Sequence, residues 1–269
     1  MMDSLLAAVD AGIRIIELGR PLDDAVPRSG WSPGFSLERT ATHVEDVRDD
    51  GLSVCSDRLT MGTHVGTHID ALGHVACSGE LHGSVKAASE AGLRLEAPLD
   101  AGSIPPMVCR GVLLDIPQTT GRDVLEPGEP ITAEDLRQAA RDVELRHGDV
   151  VLIRTGWGQN WDEPGKFFDA EHGIPGITVE AAAWLTDHRV TMIGADTPGV
   201  EHINPLTKFR TLPVHRLLLV EKGIHLLEAA DLEELSALAE REFVFAVTPL
   251  RLRGASGSPA RPLALVQAR

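Results

Sequence analysis

Short apolar runs, separated by glycine, proline and polar residues, follow one another along the chain. Runs of this length that are bounded by turn-forming residues are typical of strands buried in a sheet. With the helices described next, they predict one α/β domain over 1–269, with helices packed on a mixed sheet. The predicted strands are 14–18, 58–61, 111–116, 149–154, 190–196 and 243–247, with two further apolar runs at 217–220 and 224–227.

Two helices are marked by a threonine at the position where a helix begins. Thr132 precedes a segment that carries Glu134 and Asp135 in its first turn, and Thr178 precedes a segment that runs through Trp184. A threonine side chain at an N-cap accepts a hydrogen bond from a backbone N–H of the first turn, and acidic residues there favour the helix dipole. Both segments are therefore predicted to be helical.

The two ends of the chain and one early segment are predicted to lie outside the sheet. Residues 1–12 lack the basic region and the long apolar core of a secretion signal. They are instead predicted to form a short amphipathic helix that packs on the domain. Residues 21–36 are rich in proline, glycine and serine, which indicates an ordered loop or a flap. After the last predicted strand, the chain is expected to form a loop through 254–259 and a short tail.

Composition and charge narrow the class of partner. The net charge is −15, which argues against nucleic acid or an anionic membrane surface. Cys55, Cys77 and Cys109 form no C-x-x-C pair, and their odd number favours a reducing compartment over a disulfide framework. No stretch approaches the roughly 20 apolar residues of a membrane span. We therefore expect a cytoplasmic protein whose partner is a small molecule.

One segment has the pattern H-x-x-x-H-x-D-x-x-x-H. Glycine and threonine inside it are poor residues for a helix interior, so an extended or turning backbone is expected. In such a backbone, side chains two positions apart point to the same face, and Gly66 permits a tight turn that brings the first histidine round to them. The residues that carry the pattern are His64, His68, Asp70 and His74.

These residue types suit a divalent metal. Imidazole nitrogens and a carboxylate bind zinc, manganese or iron, and a site without thiolates leaves coordination positions for water. A bound divalent cation lowers the pKa of that water to roughly 7, which makes hydroxide available. His64, His68 and Asp70 are predicted to be metal ligands, and the Asp70 carboxylate can bridge two ions. His74 is either a further ligand or a general base and acid.

The segment resembles the motif of the cyclase-type metal-dependent hydrolase family, which includes kynurenine formamidase, isatin hydrolase and a dienelactone hydrolase. The family pattern is H-x-G-T-H-x-D-x-P-x-H, and this chain departs from it only at Leu72, where the family has proline. The resemblance extends to Trp31 in an early loop, to Asp196 at the end of a strand, and to His215 followed by Glu228.

The resemblance implies a swivelling β/β/α fold and a homodimer. It also implies that His64, His68 and Asp70 bind one metal, with Asp70 bridging to a second. The second ion would be held by His215 and Glu228, with His202 as the competing late histidine. His74 would donate and accept the proton, and Trp31 would line the substrate pocket. The cofactor would be one or two ions of Mn²⁺ or Zn²⁺.

The expected reaction is hydrolysis of the C–N bond of a small cyclic amide or aryl formamide by a metal-bound hydroxide. Leu72 in place of proline favours the isatin hydrolase branch over kynurenine formamidase itself. Three alternatives remain open: a lactone hydrolase of the dienelactone type, a dehydratase or isomerase that uses the same site, and a structural metal-binding module without activity.

Two interpretations remain open both for a pair of aromatic segments and for a pair of arginines. The segments 156–161 and 166–168 hold two tryptophans and two phenylalanines, which either line an aromatic pocket or belong to a core or dimer contact. Arg154 and Arg210 either hold a substrate carboxylate or form salt bridges. The segment 30–34 fits G-x-S-x-G, but it lacks the preceding apolar strand of a nucleophile elbow and is set aside.

Overall fold

A mixed sheet of nine strands lies at the centre of the part of the chain that the computed structural model describes, residues 7, 9–30, 32–87, 99–169, 171–238 and 240–268. Its strand order is β1-β13-β11-β5-β7-β9-β10-β4-β12, and β2 with β3 and β6 with β8 form two small sheets. The strands are β1 (Ile13–Glu17), β2 (Ser36–Ala41), β3 (Ser56–Thr60), β4 (His68–Asp70), β5 (Met107–Asp115), β6 (Pro130–Ile131), β7 (Val150–Arg154), β8 (Gly176–Ile177), β9 (Met192–Ala195), β10 (His225–Glu228), β11 (Glu242–Val247), β12 (Gly257–Pro259) and β13 (Leu263–Gln267).

The middle of the sheet is parallel and buried on both faces. Strands β5, β7, β9 and β10 pair in parallel, whereas the strands on either side of them pair antiparallel. All five residues of β7 are buried, and successive side chains enter different cores: Val151 and Ile153 face one, Val150 and Leu152 the other. This is why the central strands appear in the sequence as continuous apolar runs.

Helices cover one face of the sheet, and both predicted threonine caps are present. Thr132 accepts a hydrogen bond from the Asp135 backbone N–H and completes a capping box, and Thr178 caps the longer helix through the Ala181 N–H. The core on this face contains Leu136 from the first of these helices. The helices are α1 (Ile116–Thr119), α2 (Ala133–Ala139), α3 (Pro164–Phe167), α4 (Val179–Asp187), α5 (Pro213–His215) and α6 (Glu233–Ser236), and a π-helical segment, Arg216–Lys222, follows α5.

The C-terminal region corrects the sequence-based expectation. Residues 254–268 were predicted as loop and tail, but β12 pairs with β4, and β13 lies between β1 and β11. The buried side chains of β13 are only Ala264 and Val266, so the strand carries little of the large apolar character that marks β5 and β7. One of its partners, β1, is also remote in sequence, and the segment is defined as a strand by its pairing with β1 and β11.

The ends and the connecting segments agree with the remaining expectations where they are described. In the predicted N-terminal helix, residues 7, 9 and 10 are helical. Residues 1–6 and residue 8 lie outside the described residues. Between β1 and Ser36 the described residues form no strand or helix, in agreement with the predicted loop. Within the described residues, no helix has the length and apolar character needed to cross a bilayer.

Arg154 is a structural residue at the end of β7. Its guanidinium pairs with Glu233 at 2.9 Å and with the buried Asp115 at 3.2 Å. Of the two interpretations of Arg154, the salt bridge is therefore confirmed. These contacts fix the carboxyl end of β7 to β5 and to α6, next to the loop that leads toward the site.

Candidate metal centre

The predicted motif folds as a turn followed by a strand. His68 and Asp70 are the first and last residues of β4, so their side chains point to the same face of the sheet. Gly66 has φ = +70°, and a Cβ atom at this position would lie 2.3 Å from Leu22 Cδ2. The turn therefore requires glycine, and it returns His64 to Asp70, with 2.7 Å between His64 Nδ1 and Asp70 Oδ1.

Strand pairing brings the late carboxylate to the motif. In the antiparallel pair of β10 and β4, Glu228 lies directly opposite His68. His215 arrives from the end of α5, where Pro213 occupies the first turn. Both residues are buried, and the distance between His215 Nε2 and Glu228 Oε1 is 3.2 Å.

All six predicted metal and catalytic residues meet in one cluster around Asp70. His68 Nε2 lies 3.6 Å from Asp70 Oδ1, and His74 Nε2 lies 3.9 Å from Asp70 Oδ2. His215 Nε2 lies 3.7 Å from Asp70 Oδ2, and His68 Nε2 lies 3.3 Å from Glu228 Oε2. The nitrogens and carboxylate oxygens thus converge at separations that are mostly too long for hydrogen bonds.

This donor set fits a divalent cation. The side chain of Asp70 is 1% exposed, and neither of its oxygens has a hydrogen-bond partner of suitable geometry among the described residues; the same holds for His68 Nε2. Buried polar atoms without partners are rare unless an ion or water satisfies them. Two groups have ligand atoms within 4.8 Å of one another: His64, Asp70 and His74, and His68, Asp70 and Glu228.

Two histidines are held by hydrogen bonds from the nitrogen that faces away from the cluster. His68 Nδ1 lies 2.8 Å from the Gly66 carbonyl oxygen, and His215 Nδ1 lies 2.5 Å from Glu201 Oε2. When Nδ1 donates to such an acceptor, Nε2 is left free to bind a metal. Glu201 also accepts hydrogen bonds from the backbone N–H groups of Val214 and His215.

Sequence reasoning missed Glu201, although it selected the neighbouring His202 as a competitor for the late ligand. His202 Nε2 instead contacts the Gly128 carbonyl oxygen at 2.8 Å, and among the two histidines only His215 joins the cluster. The signal was available: Glu201 is an acid among apolar residues that follow a predicted buried strand. A carboxylate in that setting is buried only when it is paired.

A strand that was not predicted shapes the position of His64. Gly257 in β12 lies opposite Asp70, and a Cβ atom on this glycine would lie 2.5 Å from His64 Cε1. The neighbouring Ser256 Oγ is 2.9 Å from His64 Nε2. The imidazole of His64 is therefore packed against the backbone of β12, with Nδ1 toward Asp70.

The carboxylates and imidazoles shift the pKa values of one another. For His215 and His68, burial lowers the pKa, but hydrogen bonds and attraction to Glu201, Glu228 and Asp70 outweigh it and raise the pKa above 6.5. Burial also acts against ionisation of Asp70, but the surrounding histidines outweigh it and hold its pKa well below the usual range. At His74 burial dominates and lowers the pKa.

These shifts predict that the stabilisation by metal increases with pH. A histidine with a raised pKa stabilises the metal-free fold below the unfolded value of 6.5, and that contribution is lost as the pH rises through its folded pKa. Metal binding requires the neutral imidazole, so apparent affinity should rise about tenfold per pH unit for each proton released. Thermal unfolding with and without Zn²⁺ or Mn²⁺ between about pH 6 and about pH 8 measures this. A metal-induced shift that shrinks as the pH rises would contradict it.

Replacing Glu201 with Gln is expected to weaken metal binding about 10- to 100-fold, the usual effect of losing the carboxylate behind a ligating histidine. The amide keeps the size of the side chain but no longer fixes the proton of His215 Nδ1. Titration of the metal-free protein with Zn²⁺ or Mn²⁺ measures the change. Glu180→Gln, on the exposed surface of α4, is the control, and equal affinities in the two variants would refute the role of Glu201.

An aromatic pocket opens onto the cluster. Its volume is about 200 Å³, and its lining includes His64, His68, His74, His215 and Glu228. Trp161, Phe167 and Phe168 form one wall, so the aromatic segments belong to the pocket, and Trp157 beside them is buried in the adjoining core. Trp31 lies outside the described residues, although its neighbour Gly30 lines the pocket.

Comparison with known proteins agrees with this geometry. Residues 16–202 match the family described as "Putative cyclase". Over 246 residues, the chain is 30% identical to kynurenine formamidase of Geobacillus thermodenitrificans, covering 91% of this chain and 94% of that protein. Isatin hydrolase of Roseibium aggregatum is 24% identical over 261 residues, with 94% and 92% covered. The crystal structure of a novel cyclase superposes with a TM-score of 0.84 at 27% identity, covering 98% of this chain and 93% of that one.

Proposed function

This chain belongs to the putative cyclase family, and from that premise we propose that it is a metal-dependent hydrolase of the C–N bond in small aryl formamides or cyclic amides. The observation that carries the proposal is the buried Asp70: four histidines surround it, yet neither of its oxygens has a hydrogen-bond partner of suitable geometry among the described residues. These histidines and Glu228 line an aromatic pocket. The names of the relatives, kynurenine formamidase and isatin hydrolase, favour amide hydrolysis over the lactone and dehydratase alternatives.

The metal ligands we propose are His64, His68, Asp70, His215 and Glu228, with Zn²⁺ or Mn²⁺ as one or two ions. When bound, such a cation polarises a carbonyl oxygen and lowers the pKa of a water ligand to about 7. The side chains supply the rest: Asp70 is common to both ligand groups and holds them together. Glu201 keeps Nε2 of His215 turned toward the cluster.

We assign proton transfer to His74. Its side chain is 21% exposed and lines the pocket, so it reaches both the substrate and solvent. Burial lowers its pKa, which leaves the imidazole neutral and able to accept a proton near neutral pH. The same nitrogen can then deliver that proton to the nitrogen of the leaving group.

We further propose a small-molecule partner, a single domain over 1–269 and a cytoplasmic location, as the sequence predicts. The resemblance to the family adds a homodimer and Trp31 at the substrate. The proposal for Trp31 is supported by its neighbours Ser29 and Gly30, which line the pocket. Sedimentation of the metal-loaded protein tests the dimer directly.

The function is tested on metal-loaded protein with formanilide, isatin, an aryl lactone and a hydroxy acid. Reaction in ¹⁸O-labelled water should place one labelled oxygen in the formate or carboxylate released from the two amides. Turnover of the lactone alone, or product formation without solvent oxygen in a new carboxylate, would overturn the proposal. A chelator-treated sample that regains activity with Zn²⁺ or Mn²⁺ establishes the dependence on metal.

A further inference from the structure

The titratable groups of the pocket all belong to the cluster around Asp70. Among the described residues that line it, the charged or titratable side chains are four histidines and Glu228, all in the cluster around Asp70. The rest of the lining includes Trp161, Phe168, Phe209 and Leu212. No lysine or arginine is among these described lining residues. A substrate whose amide reaches the cluster therefore places the rest of its structure against apolar and aromatic surface.

The wall is built around Trp161. Its ring meets Phe167 edge to face, with centroids 5.3 Å apart, and Phe167 meets Phe168 in the same way at 5.4 Å. Such edge-to-face contacts are the favoured geometry of aromatic pairs, so these rings fix one another. The segment that leads to Trp161 begins at Thr155 and Gly156. Both residues donate hydrogen bonds to the Asp196 carboxylate, which fixes the start of this segment.

An arginine packs against the same indole without lining the pocket. Arg20 Cζ lies 5.0 Å from the centre of the Trp161 ring, and the Arg20 side chain is 8% exposed. Its Nε and Nη2 atoms have no hydrogen-bond partner among the described residues. The nearest carboxylate is that of Asp231, with 3.6 Å between Nη1 and Oδ2. The guanidinium of Arg20 therefore lies between the face of Trp161 and the carboxylate of Asp231.

Space for the guanidinium is provided by a glycine. A Cβ atom on Gly158 would lie 2.4 Å from Arg20 Nη2. Any larger residue there would displace Arg20 from the ring. The backbone of Arg20 is also tied to the metal motif, because its N–H donates to Thr67 Oγ1 at 2.9 Å. Arg20 therefore connects the metal motif, through Thr67, to the aromatic wall.

We propose that Trp161, backed by Arg20, is the specificity element of the site and that it selects substrates with a flat, uncharged aryl group. This rests on the proposed amide hydrolysis and names its substrate class. A carboxylate or ammonium group on the substrate would face aromatic carbon with no counter-ion among the described residues, and an unpaired charge in such surroundings is strongly disfavoured. Arg20 is a positioning residue, which holds the indole in place and leaves the wall without charge.

Matched substrates isolate the effect of charge. The neutral members are 3- and 4-formamidobenzamide, and the charged members are the corresponding formamidobenzoates, which have nearly the same shape. With metal-loaded protein, kcat/KM for formate release should be about 100-fold higher for each neutral member, the effect expected of one unpaired charge. A charged arene that binds in reverse, with its carboxylate on the metal, lowers kcat and KM together and leaves kcat/KM unchanged.

Equal kcat/KM values, or a preference for the benzoates, would overturn this inference while the proposed amide hydrolysis would stand. If none of the four compounds and no cyclic amide were hydrolysed, the proposed function would fail, and the substrate assignment would fall with it. If a preference for the benzoates disappeared in Arg20→Met, Arg20 would be a carboxylate-binding residue instead.

Variants test the positioning role. Arg20→Met and Gly158→Ala should each raise KM for the neutral arenes about 5- to 10-fold, the loss expected of one cation–π contact at a partly buried site, with kcat within about twofold. Trp161→Leu removes the wall itself and should raise KM more.

The chain offers a matched control: Arg137 stacks on Trp184 with 6.0 Å between Cζ and the ring centre, on the exposed side of α2. Arg137→Met should leave both constants unchanged, and a KM in Arg20→Met and Trp161→Leu equal to that of the control would refute the assignment.

Discussion

Asp70→Asn is expected to abolish metal binding and to reduce kcat/KM by at least about 10³-fold, because metal assistance contributes several kcal/mol to the transition state and 1.36 kcal/mol corresponds to a factor of ten. Asp70 belongs to both groups of candidate ligands. Asparagine has the same size but no charge, so the attraction between the Asp70 carboxylate and a bound cation is lost. Metal content after dialysis and kcat/KM on an aryl formamide measure the two effects.

The controls for this variant separate loss of metal from loss of fold. Asp162→Asn changes the same charge at an exposed position and should retain metal and activity. In chelator-treated samples, Asp70→Asn and the unaltered protein should have similar circular dichroism, whereas only the unaltered protein should gain thermal stability when metal is added. Full metal content in Asp70→Asn would show that the ion is held without Asp70 and would refute the assignment.

The motif residues could be predicted because they are close in sequence and their geometry is local. The alternation of a strand places His68 and Asp70 on one face, and the left-handed backbone of Gly66 returns His64 to them. Both relations follow from backbone rules that need no knowledge of the rest of the fold. The assignment of Glu228 came only from the resemblance, because its place opposite His68 depends on the pairing of β10 with β4.

Other features of the site could not be predicted, because they depend on contacts between segments that are remote in sequence. Gly257 contacts His64 across 193 positions, and this contact requires β12, which pairing with β4 alone defines. The position of Glu201 among apolar residues indicates that its carboxylate is paired, but its partner, His215, is defined only by the tertiary contact between the two segments. The same holds for Arg20, which precedes the motif by more than 40 positions and is recognised only by its packing on Trp161.

The fold shows the same division between local and remote signals. The caps at Thr132 and Thr178 and the apolar strands β5, β7 and β9 were predictable because each element carries its own signal. Strand β13 was missed because few of its side chains are buried and because one of its partners, β1, lies at the other end of the chain. In physical terms, strands are specified partly by cross-strand packing, which a single segment does not contain.

Both the sequence and the geometry allow His74 two roles, metal ligand or proton transfer. Replacing His74 distinguishes the two. The sequence interpretation kept both a ligand and a proton-transfer role, whereas the structure groups His74 with His64 and Asp70 at ligand distances and also exposes it in the pocket. The imidazoles of His64 and His74 lie 4.1 Å apart between centroids, and this proximity disfavours protonation of His74. This repulsion and burial both lower the pKa of His74, as a general base near neutral pH requires.

His74→Gln is therefore expected to lower kcat about 10²- to 10⁴-fold, the usual contribution of general acid–base catalysis, while metal content stays that of the unaltered protein. The acidic limb of the pH–rate profile should lose the contribution from protonation of His74, whereas the contribution from ionisation of a metal-bound water should remain. His172→Gln, an exposed histidine whose Nδ1 lies 2.7 Å from Asp169, is the control and should retain kcat and metal. Loss of one metal equivalent in His74→Gln would make His74 a ligand, and near-normal kcat at full metal content would exclude it from proton transfer.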